Sequence, residues 1–259
     1  YTFQYIFTNY NSDGQVNFEV IFSDSAGNSG DIVTGTTNSS YTIFDKVPPS
    51  DFTVQDVITV GENSIANAWN STNSAININI PVSDDESLDS GRVQIIAKVA
   101  NNDFENLDSY HFFQSSDLNN SKIVSVSESL VESISGFSEN DTITISAIIY
   151  DVPGNMTIGS ESNTKLVINQ SVPIIINSNI ESDFSDSSLA GVDNIITLIF
   201  ETDTEIIIPS VTISGQEAII VNLGDNEWQA SYTMQSSDED GIIPFVIDFM
   251  DVYGNPNSV

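Results

Sequence analysis

The chain has 259 residues, with 37 Asp plus Glu against 5 Lys plus Arg, one His and no Cys, for a formal net charge of -32. Only 16% of its residues are charged, so the imbalance comes from removal of base rather than from a surplus of acid. Such a chain lacks the Lys and Arg that neutralise nucleic-acid phosphates or an anionic membrane surface. The absence of Cys excludes disulfides, thiol catalysis and Cys-zinc sites, and cations are left as the natural counter-partners.

A hydrophobic fraction of 39% with 14 Phe is enough to build packed cores. No stretch approaches the roughly 18 apolar residues of a membrane span, so no membrane insertion is expected of this segment. The opening Tyr1-Thr-Phe-Gln-Tyr5 has neither the basic end nor the apolar run of a signal peptide, and the chain reads as a mature or excised piece of two or three domains.

Residues 1–46 carry Asp13-Gly14, Phe18, Phe22, Asp24 and Gly27-Asn28, a strand with alternating apolar positions that runs into an Asp-x-x-Gly-Asn turn. Gly supplies the positive φ of a tight connection and Asp bonds the loop backbone, so the pattern is a hairpin signal. A further strand then ends in Pro at Tyr41-Thr-Ile-Phe-Asp-Lys-Val-Pro48. Pro has no ladder donor and marks the handover to the next unit.

Over residues 47–171 the pattern predicts strands at about 52–60, 75–82, 92–100, 109–114, 122–134, 141–150 and 164–169, and no capped helix with a 3.6-residue period. Asp141, Ile145, Ile149, Asp151 and Gly154-Asn155 repeat the first segment's frame loosely. Lys165-Leu-Val-Ile-Asn-Gln-Ser-Val-Pro173 repeats its Pro-ended strand. Residues 172–259 close with the strongest match: Tyr232-Thr-Met-Gln answers Tyr1-Thr-Phe-Gln, and Asp240-Gly241, Phe245, Phe249, Asp251 and Gly254-Asn255 repeat the register of the first segment. Glycine-to-glycine spacings of 127 and 100 residues, with closer likeness between the outer copies, indicate a 227-residue period built from two alternating module types.

The expected architecture is all-β, a string of immunoglobulin-like antiparallel β-sandwich modules. Residues 1–46 form the C-terminal part of one module, 47–171 a complete module, and 172–259 a module lacking its last strand. That last edge is expected to be unpaired, completed either by a longer polypeptide or by strand donation between copies.

Phe22-Ser-Asp-Ser-Ala-Gly-Asn28, Thr42-Ile-Phe-Asp-Lys-Val-Pro-Pro49 and Trp228-Gln-Ala-Ser-Tyr-Thr-Met-Gln235 followed by Asp240-Gly241 resemble the tandem immunoglobulin-like repeats of very large prokaryotic cell-surface proteins. These include adhesins, extracellular filaments and archaeal surface-layer proteins. The resemblance spans nearly the whole chain and implies an extracellular, cell-surface location. Its motifs mark turns and strands, and they imply architecture more than activity.

Strand direction in such a sandwich fixes which loops share an end. The junction near Val47 is expected to collect Asp13, Asp45, Asp84, Asp85, Glu86, Asp89 and Asp151. The junction near Val172 is expected to collect Glu139, Asp141, Glu201, Asp203, Glu205 and Asp251. Carboxylates gathered at hinges point to Ca²⁺, which takes six to eight oxygen ligands and binds extracellular modules at roughly 10⁻⁴ to 10⁻³ M. The competing reading is that loops simply carry Asp, Asn and Ser, and that the charge maintains solubility. No loop has the EF-hand spacing.

Six Asn-x-Ser/Thr sequons, at Asn38, Asn70, Asn119, Asn140, Asn155 and Asn169, are what chance supplies at this composition. His111 in Ser-Tyr-His-Phe-Phe-Gln reads as a strand residue, Trp228 as core, and Trp69 as packing or sugar stacking. No catalytic residue is expected, and the protein is not expected to be an enzyme. The expected function is a structural segment of a secreted cell-surface assembly, whether filament, stalk or surface layer. Its partners would be neighbouring modules, copies of the same protein, and cations. The alternatives are an adhesin module binding carbohydrate or protein through loops such as 101–120, and, more distantly, an accessory domain of a secreted hydrolase.

Overall fold

The computed structural model describes residues 1–259. The chain is built almost wholly from antiparallel sheets around two separate apolar cores, one drawn from residues 54–168 and the other from residues 196–249. No residue of 1–46 is buried.

The first segment holds only β1 (Gly14–Gln15) against β2 (Ile43–Phe44), plus the bridges Val20–Val33 and Ser23–Ser29. The middle unit then forms two facing sheets. One is β3 (Val57–Gly61), β5 (Asn73–Val82) and β9 (Asn120–Ser127), with β5 central. The other runs β4 (Ala68–Trp69), β12 (Leu166–Ile168), β10 (Thr142–Tyr150), β6 (Arg92–Val99) and β7 (Glu105–Asn106), with β8 (His111–Phe112) on β6 and β11 (Met156–Ile158) on β10. Alternation decides what is buried: Ile76, Ile78 and Ile80 of β5 face Val93, Ile95 and Ala97 of β6 and Ile143, Ile145 and Ala147 of β10 across the core. Trp69 is fully buried there and its Nε1 donates to Glu132, so it packs rather than stacks on a ligand.

The third unit repeats the plan with a smaller core. β13 (Ile175–Ser182), β14 (Ile195–Thr202), β18 (Glu227–Thr233) and β17 (Ile219–Gly224) form one sheet. β16 (Gln216–Glu217), β15 (Ser210–Ile213), β19 (Phe245–Met250) and β20 (Pro256–Ser258) form the other. Trp228 lies in the core between them, as expected. In the middle unit β12 pairs with Thr142 and Ile143 at the start of β10. The equivalent Ile242 and Ile243 have no strand partner, and Ile242 is 98% exposed.

Two elements depart from the sequence expectation. The strand expected over 122–134 ends at Ser127, where a single helical turn, α1 (Glu128–Val131), turns the chain so that Val131 and Ile134 both enter the core. The strand expected at 109–114 shrinks to β8, because the rest of that loop is held by side chains: Gln114 N–H donates to Asp117 and Ser109 N–H to Asp108.

Candidate functional site: the turn and linker junctions

Three copies of the Asp-x-x-Gly-Asn turn fold alike. In each, one carboxylate oxygen of the Asp accepts the main-chain N–H of the Asn, at 2.9 Å for Asp24, 2.7 Å for Asp151 and 2.8 Å for Asp251. The other oxygen accepts the Asn side-chain amide at 2.9, 2.8 and 2.9 Å. The Gly takes positive φ in all three, as the turn requires. At the exposed first copy these bonds hold the Asp24 carboxyl below its ordinary value, the Asn28 side chain contributing most and its main-chain N–H next.

In the second and third copies the Asn that closes the turn, and the residue two positions beyond it, form a clasp. Asn155 Nδ2 donates to the carbonyl of Asp45 at 3.3 Å, and Thr157 Oγ1 donates to the carbonyl of Pro49. Asn255 Nδ2 donates to the carbonyl of Asn169 at 3.0 Å, and Asn257 Nδ2 to that of Pro173 at 2.8 Å. The donors are two residues apart in both cases and the acceptors four apart, so each turn grips the linker entering its own unit in one register.

The second junction adds a plug. The Asp251–Asn255 turn seats against the 63–73 loop at the far end of the middle unit. Ser71 N–H donates to Asn255 Oδ1 at 2.8 Å, and Asn70 Nδ2 donates to the Tyr253 carbonyl at 2.7 Å. Asn70 and Asn255 are fully buried. A Cβ on Gly254 would lie 2.5 Å from both the Asn63 carbonyl and the Asn70 amide, so close approach as well as φ requires glycine there. Glu139 reinforces the linker by accepting the N–H groups of Gln170 and Ser171, and Gln170 Nε2 donates to Glu132.

The thirteen carboxylates expected to hold calcium do not converge: no three acidic side chains form a group that could hold a metal ion. Seven of them accept main-chain N–H groups instead. Asp13 accepts from Lys46, Asp45 from Val47, Asp85 from Ser87, Glu139 from the second linker, Asp151 and Asp251 from their own turns, and Asp203 from Ile174. Asp84, Glu86, Asp89, Asp141, Glu201 and Glu205 make no side-chain hydrogen bond, Glu201 lying in β14 and the others in turns and loops, and none belongs to a three-acid group. An Asp or Glu beside unpaired turn or linker N–H groups accepts them, as side-chain-to-backbone bonds of this kind commonly do at turns and strand ends. The amides of Asn70, Asn155, Asn169 and Asn255 carry the junctions. Their signal in the sequence is the Asn that closes every turn and the shared spacing of the two linkers ahead of Pro49 and Pro173.

The few cations are engaged locally. Lys46 Nζ bonds the carbonyls of Asn9 and Asn11, Lys98 and Lys165 both pair with Glu161 at 2.8 Å, and Lys122 pairs with Asp117 at 3.2 Å. Arg92, the one arginine, pairs with no carboxylate and lies over the rings of both Tyr110 and Tyr150, at 4.8 and 4.6 Å. His111 sits on β8 with Nε2 2.9 Å from Asp108 Oδ2. Residues 172–259 contain no Lys, Arg or His at all, against 15 acids. No helix is long and apolar enough to cross a membrane.

No protein-family model matches the chain, and no curated protein matches it. Among solved structures it is similar to a marsupial T cell receptor at 13% identity and a TM-score of 0.25, covering 74% of this chain and 94% of that one. It is also similar to a Streptomyces avermitilis α-L-rhamnosidase complexed with L-rhamnose, at 10% identity and a TM-score of 0.24, covering 80% of this chain and 24% of that one.

Proposed function

We propose that the chain is a structural segment of a secreted prokaryotic cell-surface assembly, a filament, stalk or surface layer, in which immunoglobulin-like units are clasped end to end behind an anionic exterior. The observation that supports this reading is the buried plug of Asn70 against Asn255, joined to a linker clasp that recurs in one register at both junctions. A flexible tether between independent domains has no use for a buried interdomain amide network, whereas a string that carries tension or sets a spacing does. The surface charge keeps neighbouring strings apart and gathers a cation atmosphere.

Small-angle scattering on the chain tests the reading. A rigid rod-like profile for the middle and third units, loosened by Asn70→Ala, is expected; a flexible two-bead profile for the unaltered chain would overturn it. Calcium is the competing source of stiffness. Asparagine clasps predict that a chelator leaves both the profile and the melting temperature unchanged, and calcium hinges predict that both shift.

A second reading, a binding module acting through loop 101–120, rests on Tyr110 and Phe112, both exposed beside the unpaired Arg92. Its test is retention on a glycan or peptide array that is abolished by Arg92→Ala.

A further inference from the structure

Residues 18–28 and 245–255 are the same element in two situations. Phe18, Val20 and Phe22 stand where Phe245, Ile247 and Phe249 stand, and Asp24, Gly27 and Asn28 where Asp251, Gly254 and Asn255 stand. In the third unit Ile247 is fully buried and Phe249 is 4% exposed, packed in a core with Leu198, Phe200, Val211, Trp228 and Ala230. In the first segment Phe22 is 52% exposed and Phe18 41%. The neighbouring aromatic cleft of about 390 Å³, lined by Tyr5, Phe7, Phe18 and Phe44, is also open.

The backbone pairing differs in the same way. β19 pairs with β15 along one edge through Val211–Ile247 and Ile213–Phe245, and with β20 along the other. Around Val20 only the β20-type edge is used, by Val33, and the edge equivalent to the β15 side has no partner. The turn is already folded, and its Asn28 amide touches nothing beyond Asp24. In both other copies that amide also reaches a linker carbonyl.

We infer that the apolar face of residues 5–33, together with the Asp24–Asn28 turn, is the seat of a half-unit of the 172–231 type. That half-unit would be supplied by the same polypeptide ahead of residue 1 and preceded by a linker of the 169–173 kind. Its β15-like strand pairs along Phe18–Ile21, its β18-like strand covers Phe22, and its linker carbonyl takes the Asn28 amide. The turn then plugs the 63–73-type loop of a preceding middle-type unit. The inference rests on the tandem-string reading and gives that string its order: units of the two types alternate.

The experiment is the full chain with an extra copy of residues 47–231 placed directly ahead of residue 1, compared with the unaltered chain by hydrogen exchange. Amides of residues 18–24 should exchange at least a hundredfold more slowly in the extended chain, approaching those of 245–251, and Asn28→Ala should speed exchange at the turn far more there, where it also removes the linker bond, than in the unaltered chain, where it removes only the bond to Asp24. Because the protein has no Cys, a second measurement is available: Val20→Cys combined with Val211→Cys in the added copy should give a disulfide under mild oxidation, since the equivalent Val211 and Ile247 are directly paired. Equal exchange in the two chains, or no cross-link, would overturn the inference. So would a dimer of the unaltered chain in sedimentation that already protects residues 18–24, which would assign the face to a second copy. The scattering profile of the middle and third units does not depend on any of these outcomes, so failure here leaves the string reading standing on its own test.

Discussion

Asn155 and Asn255 occupy the same place in two turns, but Asn155 reaches one linker carbonyl at 3.3 Å, while Asn255 contacts both the carbonyl and the side chain of Asn169 and also accepts from Ser71. The surroundings account for the difference. A Cβ on Gly154 would meet nothing within 4 Å, whereas one on Gly254 would strike the middle unit. The linker clasp is thus common to both junctions, and at the second the 63–73 loop of the middle unit adds the plug. A repeat can hold its local hydrogen bonds in any context, but a buried interdomain contact exists only where both surfaces are present.

Substitution at the two glycines separates these contributions most sharply. Gly254→Ala should cost roughly 4 kcal/mol of coupling between the units, from φ strain plus displacement of the buried Asn70 amide, whereas Gly154→Ala should cost only the roughly 1–3 kcal/mol of a strained φ. Hydrogen exchange at Asn70–Asn73 and at Tyr253–Asn255 reads the coupling directly. Similar losses for the two variants would mean that the plug adds nothing.

Asn70→Ala comes next, at about 2–3 kcal/mol, since it strands the carbonyls of Asn63 and Tyr253 in a buried site. In a double-mutant cycle with Asn255→Ala the coupling should reach about 1 kcal/mol, while Asn155→Ala with Asn70→Ala should be additive. Denaturant melts of the six proteins, the parent, the three single variants and the two doubles, give both numbers.

The smallest effect is electrostatic. Asp24 has its folded pKa depressed below 3.8 by the Asn28 amide, so its bonds stabilise the turn above the unfolded value and are lost as pH falls through the folded one. An NMR titration of the Asp24 carboxyl should therefore show a midpoint below 3.8, rising toward that value in Asn28→Ala. A midpoint unmoved by that substitution would remove Asn28 as the cause.

Much of the fold is legible because its signals are local. The alternation at Ile76, Ile78 and Ile80 announces β5, Pro48 and Pro173 announce the linkers, and the turns announce the repeat. The short helix at Glu128–Val131 is hidden because one turn carries no period to detect. The junction chemistry is half legible: the turns stand out in the sequence, but the carboxylates, which point to an ion when counted together, divide between bonds within their own turns, as at Asp151 and Asp251, and bonds to main-chain N–H groups about 30 residues away, as at Asp13, Glu139 and Asp203.

By itself the sequence determined an all-β chain of repeated units, depleted of base and carrying three equivalent turns, since strand alternation, turn residues and charge are properties of neighbours in the chain. Only the tertiary structure decided that carboxylates would accept main-chain N–H groups of turns and linkers while asparagine amides joined the middle and third units. Asn70 and Tyr253 are 183 residues apart. Which of two polar side chains meets a distant partner depends on where the packed cores place them, and an amide can both donate and accept at a buried contact where a carboxylate could only accept.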